Sequence, residues 1–195
     1  MILTERFDDA LGFAADLHRD QKRKGKGVPY VSHLLGVAAI VLEEGGSEDQ
    51  AIAALLHDGP EDQGGCATLE KIRDRFGDEV ARIVDACTDT YEQPKPEWRP
   101  RKEAYIGRLA GERPDELLVS LADKLYNART IAADLRENGV GYFANFNGGR
   151  EGTLWYYRTI LDTFRSIEGF DSRLIGELDG VVAEIESLVS READG

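Results

Sequence analysis

The chain has 195 residues, 42% of them hydrophobic, with 37 acidic against 24 basic residues and a formal net charge of −13. That length suits one sizeable core, and the acidity argues against a protein that coats nucleic acid or an anionic membrane surface. The two cysteines, Cys66 and Cys87, have no CxxC spacing and suggest neither a disulfide framework nor a cysteine zinc site.

The apolar run Val37 to Leu42 is far short of the roughly 20 residues of a membrane span. The start, MILTERFDD, lacks the basic head and apolar centre of a signal peptide. A reducing, cytoplasmic setting is therefore expected.

Leu3, Phe7, Leu11, Ala14 and Leu17 recur every three or four residues and predict a first helix ending near His18. The basic, Gly-rich stretch HRDQKRKGKGVPY reads as a loop, because Pro29 and the glycines cannot continue a helix. A second helix is expected from Val31 to Glu44, stopped by Gly45 and Gly46. Ser47 with Gln50 then forms a capping box for a third, which delivers His57 at its C-terminal end. Thr68 is expected to cap a short helix to Phe76, Gly77 to break it, and Val80, Ile83, Val84 and Cys87 to form the apolar face of the next. After the Pro-bearing TYEQPKPEWRP, helices are expected at roughly 99–111, 115–135, 150–167 and 172–190. No strand pair is expected.

Ionisable residues interrupt the apolar helices at three places. His33 opens the second helix; His57 and Asp58 close the third, in ALLHD; Asp123 breaks the apolar face of Leu118, Leu121, Ala122 and Leu125. A buried carboxylate without a partner is costly. One divalent cation accounts for all four, since two imidazoles and two carboxylates make a mixed nitrogen and oxygen shell suited to Mn, Fe or Zn. Singly, His33 and Asp123 each have an ordinary structural explanation; the adjacent His57–Asp58 pair makes that explanation less adequate.

The order His33, His57–Asp58, Asp123 resembles the H…HD…D signature of the HD-domain metal-dependent phosphohydrolases. RKGKGVPYVSH, ALLHDGPED, FGDEVARIVDACTD and LLVSLADKLYNAR are similar, in order, to segments of the hydrolase domain of RelA/SpoT-type proteins and of the small alarmone hydrolases. The resemblance runs over about residues 1–165, and no synthetase domain is expected. The resemblance implies an all-α, HD-domain helical bundle of about eight to ten helices. We expect a single domain over 1–195, with a core at 1–167 and a C-terminal helix at 172–190.

By that resemblance His33, His57, Asp58 and Asp123 are ligands of one manganese ion (Mn²⁺). Glu61 and Asp62 match the ED pair implied to activate or orient the attacking water. The pair Arg23–Lys24, within the cluster Arg19, Lys22, Arg23, Lys24 and Lys26, is implied to contact the nucleotide or its phosphates, and Asn127 the ribose region. An aromatic among Trp155, Tyr156 and Tyr157 is a further candidate for the base or ribose. The chain departs from the family at Leu34, where relatives carry proline, and at Gln63, where they often carry threonine. The implied activity is removal of the 3′-pyrophosphate of guanosine or adenosine tetra- and pentaphosphates. The alternatives are a generic HD phosphohydrolase of nucleoside mono- or triphosphates and a nucleotide-binding module without turnover. A small-molecule nucleotide is the expected partner, and the apolar stripe of the last helix is compatible with a homo-oligomer.

Overall fold

The computed structural model describes residues 2–193, and among these the secondary structure is helical apart from one isolated antiparallel bridge between Lys22 and Pro29. Ten α-helices follow in order: α1 Glu5–Leu17, α2 Val31–Glu43, α3 Glu48–Leu56, α4 Gly59–Asp62, α5 Cys66–Phe76, α6 Asp78–Cys87, α7 Trp98–Leu109, α8 Pro114–Asn138, α9 Gly149–Ser166 and α10 Arg173–Ala193. A 3₁₀ helix, Val140–Asn145, precedes α9. The chain is thus an all-α helical bundle, and none of the described helices is long and apolar enough to cross a membrane.

The residues group into two units. The first takes the chain up to Pro96 together with Glu112–Asp123; the second takes Glu97–Gly111 and the chain from Lys124 onward.

In the first unit α3 is the central helix. Every residue from Ala51 to Leu56 is fully buried, so this short helix is apolar on all sides and packs against α1, α2, α5 and α6. Its start is fixed locally: Ser47 Oγ accepts from the Gln50 backbone N–H while Gln50 Oε1 accepts from that of Ser47. The Gln50 amide also donates to the Asp115 carbonyl at 3.1 Å, which ties α3 to the start of α8. Arg82 of α6 clasps Glu79, Asp115 and Glu116 and holds the same first turn of α8. These ties hold the start of α8, whose residues up to Asp123 belong to the first unit.

Thr68 does not cap α5. That helix begins at Cys66 after Gly65, whose φ of +64° only glycine adopts readily, and Thr68 lies inside it, its hydroxyl donating to the Gln63 carbonyl. Gly77, at φ +96°, separates α5 from α6.

In the second unit α9 packs against α7, α10 and the 3₁₀ helix. Tyr156, Tyr157, Ile160, Leu161 and Phe164 form its buried face, joined by Tyr105, Phe143, Leu174, Leu178, Val182 and Ile185. The stretch 137–150, without an expected element, is thus ordered by Phe143. Trp98 lies against Gly148, where an added Cβ would come within 2.8 Å of the indole.

Candidate metal centre and its carboxylates

The break between α3 and α4 places the chemistry. α3 ends at Leu56, His57 follows as its C-cap in right-handed helical geometry, and Asp58 precedes the four-residue α4. Pro60 in the first turn of α4 costs no hydrogen bond there. His57 and Asp58 therefore leave a fully buried helix from consecutive positions, and both turn their polar atoms to one point.

His33 Nε2 lies 3.2 Å from Asp58 Oδ2 and 3.2 Å from Asp123 Oδ1. His57 Nε2 lies 3.1 and 3.6 Å from the same two oxygens, and the two imidazole nitrogens are 3.3 Å apart. Both histidines are at most 2% exposed and Asp123 is 7% exposed. The structure thus brings these four side chains together, from α2, the α3–α4 junction and α8. Spacings of this size are those between neighbouring donors around one cation with bonds of about 2.1–2.5 Å. The donor set fits a divalent ion. His57 Nδ1–H donates to the Ala54 carbonyl at 2.8 Å, which turns Nε2 toward the carboxylates as a metal-binding imidazole requires.

Burial opposes the charged forms of His57 and Asp58, yet their attraction outweighs it. With Asp123 adding to the pull, the His57 imidazole is held well above its ordinary range; with His33 adding on the other side, the Asp58 carboxyl is held well below. The cluster is a place where positive charge is strongly favoured, by a proton or by a metal. Tyr30 donates its hydroxyl to Asp58 Oδ2 at 2.7 Å, and burial, then the charges of Asp58 and Asp62, push its phenol well above the usual range.

Glu61 and Asp62 sit in the first turn of α4, where acids suit the helix dipole. Lys95 Nζ bridges them, 2.8 Å from Glu61 Oε1 and 2.7 Å from Asp62 Oδ1. Burial disfavours the ammonium, but Asp62 and Glu61 more than compensate and raise its pKa. The Asp89 N–H donates to Glu61 Oε2 at 3.3 Å, and Gln21 Nε2 to Asp62 Oδ2 at 2.8 Å.

Arg23 and Lys24 occupy the loop closed by the Lys22–Pro29 bridge. The Arg23 guanidinium lies 5.7 Å from the centre of the Tyr30 ring, so it reaches the residue that touches Asp58, while Lys24 is exposed. Asn127 follows Asp123 by one turn of α8, is half-buried, and belongs to the second unit. Trp155 and Tyr156 pack edge-on to Trp98, with Arg99 over the Trp155 ring.

Tyr30, Lys95, Gln21 and His18 escaped the sequence reading. Tyr30 precedes His33 by three residues and so shares its side of the helix start, which is a usable signal. Lys95, in PKP, is far from the ED pair in sequence and offers none.

A model of the HD domain family matches residues 10–154. The chain is 42% identical over 126 residues to the mouse guanosine-3′,5′-bis(diphosphate) 3′-pyrophosphohydrolase MESH1, covering 63% of this chain and 68% of the relative. The Xenopus tropicalis protein of that name is 36% identical over 174 residues, covering 88% of this chain and 89% of the relative. A solved structure described as a metazoan orthologue of SpoT that hydrolyses ppGpp superposes with a TM-score of 0.76 at 27% identity, covering 94% of this chain and 97% of that one. With the family model spanning most of its length and both sequence and fold shared with these relatives, the chain belongs to the HD-domain family.

Proposed function

We propose that this chain is a divalent-metal-dependent 3′-pyrophosphohydrolase of guanosine tetra- and pentaphosphate, with Mn²⁺ as the metal. The observation that carries the reading is the convergence of two imidazoles and two carboxylates beside a second, clamped pair of carboxylates. That arrangement occurs in a chain similar to proteins named for this reaction.

His33, His57, Asp58 and Asp123 are assigned as the metal ligands. A cation bound there supplies Lewis acidity toward the phosphoryl group and makes nearby water acidic enough to attack at neutral pH. The two aspartates balance a divalent charge, which offsets the cost of burying them. Glu61 and Asp62, held by Lys95, orient the attacking water and accept its proton. Water adds to the phosphorus attached to the 3′ oxygen, the P–O3′ bond breaks, and the proton passes to O3′, leaving pyrophosphate and GDP or GTP. Arg23 and Lys24 are assigned to the phosphates, whose charge they offset, and Asn127 to the ribose.

The test is to supply metal-stripped protein with Mn²⁺, Mg²⁺ or Zn²⁺ and resolve the products from guanosine tetraphosphate. Pyrophosphate with GDP, in highest yield with Mn²⁺, is expected. Turnover of GTP or GMP with none of the tetraphosphate would move the chain to the generic phosphohydrolases.

A further inference from the structure

His18, the third histidine, and Gln21 stand at the foot of the basic loop, where the chain leaves α1. His18 is 2% exposed and stacks on Tyr30, with ring centres 5.1 Å apart and planes 15° apart. Its Nδ1 lies 2.6 Å from Gln21 Oε1, and Gln21 Nε2 lies 2.8 Å from Asp62 Oδ2. A carboxylate only accepts, so the Gln21 amide must turn its NH₂ to Asp62 and its carbonyl to His18. That in turn fixes His18 as the Nδ1–H tautomer. Gln63 Nε2 donates to the same Gln21 carbonyl at 2.5 Å, and the Tyr30 N–H holds the Gln21 backbone carbonyl at 3.0 Å. The amide is thus fixed at both ends and along its backbone.

Asp62 is gripped from two sides by donors of different kind. Lys95 brings a charge to Oδ1; Gln21 brings a neutral N–H to Oδ2. An amide orients that oxygen without the proton-repelling charge of a second cation, which suits an oxygen that must itself accept a proton.

We propose that Gln21, locked in orientation by His18, is a positioning residue that sets the Asp62 carboxylate for the turnover step and contributes little to binding metal or substrate. The inference rests on the reading of Asp62 given under Proposed function. Among the described residues the side-chain hydrogen bonds of Gln21 run to His18, Asp62 and Gln63 and not to the four proposed metal donors, so Gln21 acts through Asp62.

The experiment measures kcat and KM for guanosine tetraphosphate, at saturating Mn²⁺, for Gln21→Ala, Gln21→Met and Gln21→Glu, each alone and combined with Asp62→Asn, with Mn²⁺ affinity measured in parallel. Loss of one hydrogen bond to a charged group should lower kcat about tenfold in Gln21→Ala and in the similarly sized Gln21→Met, with KM and Mn²⁺ affinity within about twofold. Gln21→Glu sets a second carboxylate against Asp62 and should lower kcat further, about 30- to 100-fold. In the Asp62→Asn background, Gln21→Ala should change kcat less than about twofold, because the group it positions is altered. Wild-type kcat in Gln21→Met, a rise in KM with kcat intact, or equal losses with and without Asp62→Asn would each overturn the proposal. If Asp62→Asn alone kept wild-type kcat, the catalytic reading of Asp62 would fail, and the clamp would be structural.

Discussion

Replacing Tyr30 with phenylalanine removes a single oxygen next to the proposed metal centre and little else. The hydroxyl donates at 2.7 Å to Asp58 Oδ2, the oxygen that also lies 3.2 Å from His33 and 3.1 Å from His57. Phenylalanine keeps the stack on His18, the edge contact with His33 and the face offered to Arg23. The lost interaction is a hydrogen bond to a charged group, about 1.5–3 kcal/mol, and about 1.4 kcal/mol is a factor of ten in affinity. The Asp58 side chain is 20% exposed, so water partly replaces the donor and the lower end applies. Tyr30→Phe should therefore bind Mn²⁺ about tenfold more weakly, in line with the usual cost of removing a ligand's outer partner. Titration calorimetry at pH 7.5 reads the affinity, and turnover at saturating Mn²⁺ should return to within about threefold of wild type. An unchanged Mn²⁺ affinity would refute the argument that the hydroxyl holds Asp58 for the metal.

Proton and metal should compete for His57. Its pKa is raised, so in metal-free protein the attraction of the imidazolium to Asp58 and Asp123 is fully present below about pH 6.5, the unfolded value, and is lost as pH rises through the folded one. Thermal melting with chelator should show stability falling over that window. Mn²⁺ affinity should rise over the same window with release of about one proton per ion, read by calorimetry in two buffers; pH-independent affinity would count against this. Lys95→Met leaves Glu61 and Asp62 facing each other without the cation between them, and should lower kcat about tenfold or more in a steady-state assay. Ser47→Ala opens the capping box of α3 and should cost about 1 kcal/mol in denaturant unfolding while leaving turnover within about twofold. A change under a few tenths of a kcal/mol would mean that burial alone holds α3.

What could be read from the sequence was what local rules determine. The Ser47–Gln50 box, the glycines at 45 and 77 and the apolar spacing of Val80, Ile83 and Val84 each act within a few residues, and the helices they delimit are where those rules put them. Thr68 misled because a threonine before an apolar run looks like a cap, whereas Gly65, with its positive φ, had already started the helix. At the proposed metal centre, His33, His57, Asp58 and Asp123 stand out because ionisable groups interrupt apolar faces. Lys95 and Gln21 do not, since they lie on irregular segments whose path is set by tertiary contacts. Glu61 and Asp62 fall in the first turn of a new helix whose start is marked in the sequence by Gly59 and Pro60, a local signal that the reading of ALLHD as a helix end left unused.

The central claim is that one divalent ion held by His33, His57, Asp58 and Asp123 drives release of pyrophosphate. The most direct measurement follows bound Mn²⁺ per chain and pyrophosphate release from guanosine tetraphosphate together, as metal is added back to stripped wild-type and Asp123→Ala protein. The account predicts that wild-type turnover rises in step with occupancy and saturates near one ion per chain, and that Asp123→Ala loses both. Pyrophosphate release that persists in chelator, or an Asp123→Ala protein that binds and turns over like wild type, would contradict it.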